Sequence, residues 1–263
     1  MARCGLSGRP SRTVRRRACS KLEPMTWSIL GRDDEGRLGV AVASRFLAVG
    51  ALCPHTRRGV GAVSSQALLN PLYGPAALDL LAEGKSPFDV ARALTDADPG
   101  RAQRQLHILP AHGKPVAFTG ESCIEWCGHY LADDFSVAGN MLAGPQVVEA
   151  SAAAYREAEG QPLAERLLAA LAAGEAAGGD KRGKQAAALV IQGDEDRREL
   201  DLRVDDHAEP VAELHRLYEV SLDRFQAFVA CLAGRHDAGG VTDRDEIEAR
   251  IAAFHADRPI KRA

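Results

Sequence analysis

The chain has 263 residues, of which 46% are hydrophobic and 26% charged, and its formal net charge is −3 at pH 7. This composition predicts a globular protein that buries a sizeable core, as one domain with extensions or as two small ones. No segment approaches the roughly 18 consecutive apolar residues of a transmembrane helix, and the acidic body of the chain argues against nucleic-acid binding. We therefore expect a cytoplasmic protein that binds neither a membrane nor nucleic acid.

The first 24 residues differ from the rest of the chain in charge. They contain seven Lys or Arg and one Glu, which leaves 26 basic and 35 acidic residues, a net charge of −9, in the remainder. This segment lacks hydrophobic periodicity, so it is either a disordered extension or sequence read from a wrong start codon, and we favour the wrong start. The predicted divisions are residues 1–24, one folded domain over 25–206 and a helical tail over 207–263.

A β-hairpin is predicted between Met25 and Ser44, where two apolar segments flank a turn at residues 33–36. Its first strand opens at Thr26. A small residue after a methionine usually allows removal of the initiator Met, so translation from Met25 would leave Thr26 as the N-terminus. Its α-amine, with an unperturbed pKa of about 7.7–8.0, could then activate its own hydroxyl as a nucleophile. The alternative is an ordinary β-branched strand residue.

Blocks of strands and blocks of helices alternate along the rest of the chain. The patterns predict strands over residues 46–52, 60–65, 105–109, 116–119, 135–138, 185–192 and 200–204, and helices over 70–84, 87–97, 144–159, 163–173, 211–228 and from 242 onwards. The segment CPHTRRGVG is predicted to be a turn, and Ser86 is predicted to cap the helix that begins at Pro87. Because strands and helices are segregated, the pattern favours an α+β fold of packed layers over a doubly wound parallel sheet.

Three polar clusters at strand and helix boundaries are candidate sites. Ser44 and Arg45 end the second strand, Gly139 and Asn140 precede the helix at 144, and Asp180 lies in a glycine-flanked loop. An asparagine amide beside a glycine N–H can hold a developing oxyanion, and each such donor contributes about 3 kcal/mol. The alternative for Asn140 is a residue of a tight turn. The loop around Asp180 does not fit a phosphate-binding motif, because the order of strand and helix is reversed.

Residue types that bind metals are present without a recognisable spacing. Cys123 and Cys127 have the separation of a zinc-knuckle pair, but no second pair accompanies them, so buried thiols are favoured. His55, His129 and His207 could each ligate a metal, although an isolated histidine more often forms ordinary hydrogen bonds. The scattered cysteines show no disulfide pattern, which suits a reducing compartment.

Seven ordered motifs between residue 25 and about residue 218 resemble those of the domain-of-unknown-function family 1028: MTWSILGRD, GVAVASRFLAVGALCPH, GVGAVSSQALLNPLYG, WCGH, FSVAGNMLAGP, GGDKRGKQAAAL and DLRVDDH. The resemblance implies an α+β fold, a four-layer αββα sandwich of the N-terminal-nucleophile hydrolase class, here followed by a C-terminal helical tail. Members of that class cleave amide bonds with the first residue of the mature chain.

The resemblance also implies roles for individual residues. Thr26 is the expected nucleophile, and Ser28 lies two residues on, on the same face of the strand. Arg45 is expected to orient a substrate carboxylate or carbonyl, Asn140 with the Gly139 region to hold the oxyanion, and Asp180 to orient other groups. If residues before Thr26 remain attached, the α-amine base does not exist and this mechanism fails.

Three functions remain open. The first is hydrolysis of a small linear or cyclic amide through Thr26, without a cofactor. The second is zinc-dependent opening of a cyclic amide by a zinc-bound water, with His55, His129 or His207 among the ligands. The third is a non-catalytic binding or assembly module that keeps the fold. The expected partner is a small-molecule amide, and a homo-oligomer is left open.

Overall fold

The computed structural model describes residues 26–257, so the predicted extension over 1–24 and the predicted start at Met25 lie outside the described residues. The strands are β1 (Thr26–Arg32), β2 (Leu38–Ser44), β3 (Pro54–Arg57), β4 (Gly61–Ala67), β5 (Arg104–Pro110), β6 (Val116–Thr119), β7 (Trp126–Leu131), β8 (Phe135–Leu142), β9 (Ala186–Gln192) and β10 (Leu200–Val204). The α-helices are α1 (Tyr73–Ala82), α2 (Pro87–Ala97), α3 (Gln146–Glu157), α4 (Leu163–Ala176), α5 (Pro210–Val220), α6 (Gln226–Val229) and α7 (Arg244–Asp257).

The strands form two antiparallel sheets, as the α+β prediction requires. The first has six strands in the order β10-β9-β2-β1-β8-β7, and the second has four in the order β3-β4-β5-β6. Helices α3, α4 and α5 pack on one face of the six-stranded sheet, and its other face packs against the four-stranded sheet. Helices α1 and α2 cover the outer face of the four-stranded sheet.

Alternation along β1 determines which side chains enter each layer. Trp27 and Ile29 belong to the apolar cluster beneath α3 and α4, whereas Leu30 packs between the two sheets. Because successive side chains of a strand point to opposite faces, Thr26 and Ser28 lie on the same face as Leu30. Both residues therefore face the space between the sheets.

Local sequence signals correctly predict most of these elements. The predicted hairpin over 25–44 is confirmed as β1–β2, and the strands predicted over 105–119 and 185–204 form two more hairpins, β5–β6 and β9–β10. The predicted cap of α2 is also confirmed, because Ser86 Oγ accepts a hydrogen bond from the Asp89 backbone N–H at 3.1 Å. A proline at the first position of this helix loses no intrahelical hydrogen bond.

The predictions around residues 46–57 are wrong. The apolar segment over 46–52 is a turn with a 3-10 helix at Val49–Ala51, preceded by Ala48 in the left-handed region at φ 54°. Val49 and Gly50 are buried because the turn packs on β9, where a Cβ added to Gly50 would lie 2.4 Å from Ala188 Cβ, whereas Leu47 and Leu52 are exposed. The predicted turn CPHTRRGVG contains strand β3 instead. Pro54 is tolerated there because β3 is an edge strand.

The structure differs from the sequence predictions at two further places, Gly139 and β7. Gly139 and Asn140 lie inside β8 rather than in a turn before a helix, so the turn alternative for Asn140 is wrong. The pattern does not predict β7, an edge strand with a bulge between Trp126 and Gly128. Most of its residues are partly exposed, which removes the alternation that marks a half-buried strand.

The helices after β10 begin with an element that belongs to the core. Val211, Leu214 and Tyr218 of α5 are buried in the cluster that covers the six-stranded sheet. A π-helical turn over Ser221–Phe225 leads into α6. The domain boundary at residue 207 stays a prediction.

No helix within residues 26–257 is both long and apolar enough to cross a membrane.

Candidate functional site

Strand pairing places Thr26 beside the ends of two neighbouring strands. Thr26 lies opposite Ser44 of β2 on one side and opposite Asn140 of β8 on the other. Its Oγ1 donates to Ser44 Oγ at 3.2 Å, and its carbonyl oxygen accepts from Asn140 Nδ2 at 3.3 Å. The structure therefore brings together Thr26 and Asn140, which are 114 residues apart in the sequence.

Two buried glutamines extend this contact into the space between the sheets. Gln66 Nε2 donates to Gln105 Oε1 at 2.8 Å and approaches the Thr26 carbonyl oxygen at 3.5 Å. Asn140 Nδ2 also donates to Gln105 Oε1, at 3.1 Å. Gln105 Nε2 in turn donates to the Gly139 carbonyl at 2.9 Å. The Asn140 amide is thus directed at the Thr26 backbone and at Gln105, which fixes the position of Thr26.

Ser28 lies deeper in the same layer and does not contact the Thr26 hydroxyl. Its Oγ donates to Gln66 Oε1 at 2.7 Å and lies 2.8 Å from His107 Nε2. The other ring nitrogen of His107, Nδ1, lies 2.9 Å from Ser136 Oγ. Because the Ser28 hydrogen is used on Gln66, Ser28 accepts from His107 Nε2–H, and Nδ1 accepts from Ser136. This is the neutral imidazole, and burial lowers the pKa of His107 to about 3.

His107 is not among the site residues predicted from the sequence, although the sequence carries a signal for it. Gln105 and His107 occupy alternate positions of β5, and Ser64 and Gln66 do the same in β4. Two polar residues on the inner face of each strand indicate a buried hydrogen-bonding layer, because isolated buried polar groups are costly.

Asp180 joins the ends of β2 and β8 from the loop between α4 and β9. Its Oδ2 accepts the Arg45 backbone N–H at 2.7 Å and lies 3.1 Å from Arg182 Nη2, and its side chain is fully buried. Asp180 also forms an isolated β-bridge with Leu142, the last residue of β8. The Arg45 side chain is exposed, and its Nη1 donates to the Arg182 carbonyl. No hydrogen bond among residues 26–257 joins Thr26 to Asp180 or Arg45.

A cavity of about 160 Å³ opens beside Asn140. Two of its lining residues have left-handed backbone conformations, Ala67 at φ 65° and Met141 at φ 52°, and Glu125 at φ 57° adjoins it. At Met141 the pairing between β7 and β8 changes register. Left-handed non-glycine residues cost of order 1–3 kcal/mol and cluster at functional sites, and bulges redirect side chains there. The sequence shows no signal for this strain, because neither alanine nor methionine favours a positive φ.

The chain matches the family model described as a family of unknown function, DUF1028, over residues 26–214. The chain belongs to this family. The family prediction is therefore confirmed, and the Thr26 strand begins where the matched region begins.

One solved structure agrees with this assignment. The crystal structure of protein SPO2555 from Silicibacter pomeroyi, which carries the same family model, is 30% identical with a TM-score of 0.77, covering 83% of this chain and 100% of that one. The chain is also similar to Anbu (ancestral beta-subunit) from Yersinia bercovieri, at 12% identity and a TM-score of 0.39, and to Anbu from Hyphomicrobium sp. strain MC1, at 13% and 0.38; each match covers 74% of this chain and 94% of the other. None of the curated proteins matches the chain.

The histidines proposed as zinc ligands in this DUF1028 protein lie on separate elements. His55 Nδ1 lies 3.2 Å from the Cys53 carbonyl, and His129 Nδ1 lies 3.2 Å from Thr119 Oγ1. Burial lowers the pKa of both rings. His207 Nδ1 accepts a backbone N–H two residues on. In the described part of the chain, no group of three or more His, Cys, Asp or Glu could hold a metal ion. The residues present therefore do not fit the zinc centre.

The pair Cys123 and Cys127 has the properties of ordinary thiols. Cys127 Sγ donates to the Cys123 carbonyl at 3.9 Å, and both cysteines are free. Burial raises the pKa of Cys123 to about 11 and also raises that of Cys127. Both side chains are thus protonated near neutral pH, when they are poor metal ligands.

Proposed function

We propose that this protein is an amide hydrolase whose nucleophile is the hydroxyl of Thr26, with Thr26 as the first residue of the mature chain. The observation that carries the proposal is the contact between Thr26 and Asn140 at the paired ends of β1 and β8. The order of layers, helices on a sheet, a second sheet and further helices, supports the αββα sandwich of N-terminal-nucleophile hydrolases. A buried, hydrogen-bonded support beneath the nucleophile is what pre-organised catalysis requires.

The proposed reaction proceeds in two steps. The Thr26 α-amine takes the proton from Oγ1, which attacks the carbonyl carbon of the substrate amide. Asn140 Nδ2 exchanges its 3.3 Å bond to the Thr26 carbonyl for one to the oxyanion. The C–N bond then breaks, and the amine leaves with the proton from the α-ammonium. Water, activated by the same amine, attacks the Thr26 ester, releases the carboxylic acid and restores the hydroxyl.

Other residues have supporting roles in this proposal. Asp180 holds the Arg45 backbone at the end of β2, and the exposed Arg45 guanidinium orients a substrate carboxylate or carbonyl. Ser28 acts through Gln66, which it fixes by the 2.7 Å hydrogen bond. The cavity beside Asn140 is about 160 Å³, so the expected substrate is a small linear or cyclic amide.

The experiment measures processing and turnover on the same sample. N-terminal sequencing and intact mass of the purified protein should show a chain that starts at Thr26. That sample should release amine from at least one member of a panel of small linear and cyclic amides. Thr26→Ala should abolish turnover, whereas Thr26→Ser should retain it because the α-amine and a hydroxyl both remain. Thr56→Ala is the matched control, since Thr56 lies on β3 and contacts Gln192 instead.

Two outcomes would contradict the proposal. One is full activity in protein that still carries residues before Thr26, because no α-amine base would then exist. The other is full activity of Thr26→Ala. A correctly processed protein that leaves every amide of the panel intact would favour the non-catalytic binding module.

A further inference from the structure

A second cleft lies at the end of the six-stranded sheet opposite Thr26. Thr26 opens β1 and Arg32 ends it, a separation of roughly 20 Å at ~3.3 Å per residue. The cleft has a volume of about 440 Å³ and lies between the start of α4, the loop from β9 to β10 and the helical segment after α5. This volume is within the range of about 300–1,000 Å³ typical of small-molecule sites.

Most of the wall of this cleft is apolar. Its apolar side chains come from α4, β9, β10 and the C-terminal helical segment: Leu163, Ile191, Leu200, Val229, Leu232 and Phe254. Leu232 remains 43% exposed, so part of this apolar surface is open to solvent. A compact apolar group would bury this surface, at a gain of roughly 25 cal/mol per Å² removed from water.

The polar side of the cleft is lined by Arg37, Arg197, Glu195 and Glu199, and the charges of Arg37 and Arg197 act on Glu199. The Glu195 carboxylate accepts the Arg235 backbone N–H at 2.9 Å. Arg197 Nη2 donates to the Val229 carbonyl at 2.8 Å, whereas its Nε is buried without an acceptor. The Glu199 carboxylate accepts no hydrogen bond and forms no ion pair among residues 26–257. Burial raises the pKa of Glu199. Arg37, which also lines the cleft, is already paired with Asp33 at 2.7 Å.

These charges select the head group of a ligand. A carboxylate alone would bind Arg197 but would be repelled by Glu199, and an ammonium alone would leave the Arg197 charge with only the Val229 carbonyl as its acceptor. A ligand that carries an ammonium and a carboxylate on one carbon can pair with both side chains, since desolvated charges are stabilised only when paired. An α-amino acid has this arrangement, and its side chain supplies the apolar group.

We propose that this cleft binds an apolar α-amino acid as its zwitterion, with the carboxylate on Arg197, the ammonium on Glu199 and the side chain against the apolar wall. The site is separate from Thr26, so it does not depend on the proposed hydrolase activity.

The test uses thermal unfolding of the full chain with and without ligand. L-leucine and L-phenylalanine should raise the melting temperature by about 3–6 °C at ten times the dissociation constant. Leucinamide lacks the carboxylate, 4-methylpentanoate lacks the ammonium and glycine lacks the side chain, so none of the three should stabilise the protein at the same concentration. These comparisons use the unmodified protein and do not depend on a variant that folds.

Glu199→Gln tests the ammonium contact. This variant should bind L-leucine at least tenfold more weakly by calorimetry, whereas Glu219→Gln, an exposed change on α5 outside the cleft, should bind it normally. Thr26→Ala should also bind it normally, which locates the site away from Thr26. The proposal is overturned if neither amino acid binds, if leucinamide or 4-methylpentanoate binds as well as leucine, or if Glu199→Gln retains full affinity.

Discussion

The buried histidine between the sheets predicts how stability depends on pH. Burial lowers the folded-state pKa of His107 from 6.5 to about 3. In the unfolded chain His107 therefore binds a proton near pH 6.5, whereas in the folded chain it binds one only near pH 3. The stability contributed by neutral His107 is fully present above pH 6.5 and is lost progressively as the pH falls towards 3. With these two values, His107 alone lowers the free energy of unfolding by about 2.5 kcal/mol between pH 6 and pH 4.

Urea unfolding at pH 6, 5 and 4 measures this loss, and His107→Gln isolates it. Glutamine keeps one donor and one acceptor between Ser28 and Ser136 but does not titrate. The variant should be less stable than the parent at pH 6, and its free energy of unfolding should fall by about 2.5 kcal/mol less on acidification to pH 4. Carboxylates titrate in both proteins, so their effect cancels in the difference.

His112→Gln is the matched control, because His112 lies in the exposed loop between β5 and β6. It should follow the pH dependence of the parent protein. If His107→Gln and the parent lose the same free energy between pH 6 and pH 4, the folded protein protonates His107 readily, and the argument that burial keeps it neutral is wrong.

Three further predictions concern the residues around Thr26. If the Asn140 amide holds the oxyanion, Asn140→Ala should lower kcat about a hundredfold or more, with a smaller effect on KM, as measured by amine release. A rise in KM of that size with kcat unchanged would instead assign Asn140 to substrate binding. Asp180→Asn should lower the free energy of unfolding by about 1–3 kcal/mol in urea, because it removes the buried carboxylate charge that pairs with Arg182. Ala67→Gly should leave stability unchanged or raise it by up to about 1 kcal/mol, since Ala67 has φ 65°. Ala62→Gly in the same strand should instead destabilise the protein. If the two substitutions lower the free energy of unfolding equally, Ala67 is unstrained.

The sequence predicts the hairpins and the cap of α2 because those signals are local. Alternation within β1 and β2 and the chemistry of Ser86 need no knowledge of distant residues. The strand predicted over 46–52 is wrong because the conformation of this segment depends on a distant contact: Val49 and Gly50 are buried against β9, which local periodicity does not encode, while Leu47 and Leu52 are exposed. Edge strand β7 is not predicted because its residues are partly exposed on both faces, so its sequence lacks the alternation of a half-buried strand.

The candidate site depends on pairings that no local pattern specifies. The resemblance supplies Thr26 and Asn140 as separate candidates, but their contact follows from the register of β1 on β8. The joining role of Asp180 likewise requires the loop between α4 and β9 to reach the end of β2. The inward polar residues, such as His107, could be predicted from alternation in β5, whereas the left-handed Met141 could not.

The composition of the layer between the sheets explains why the Thr26 end is so well fixed. At the far end this layer is apolar, with Leu30, Val40 and Leu109 in contact, and apolar contacts tolerate small shifts. Towards Thr26 it becomes polar, and Gln66 and Gln105 hydrogen-bond to both sheets. A slip of one residue in any of these strands would leave several buried polar groups without partners, each costing about 1–3 kcal/mol. The polar layer therefore specifies one register, and that register sets the distance between the Thr26 backbone and the Asn140 amide.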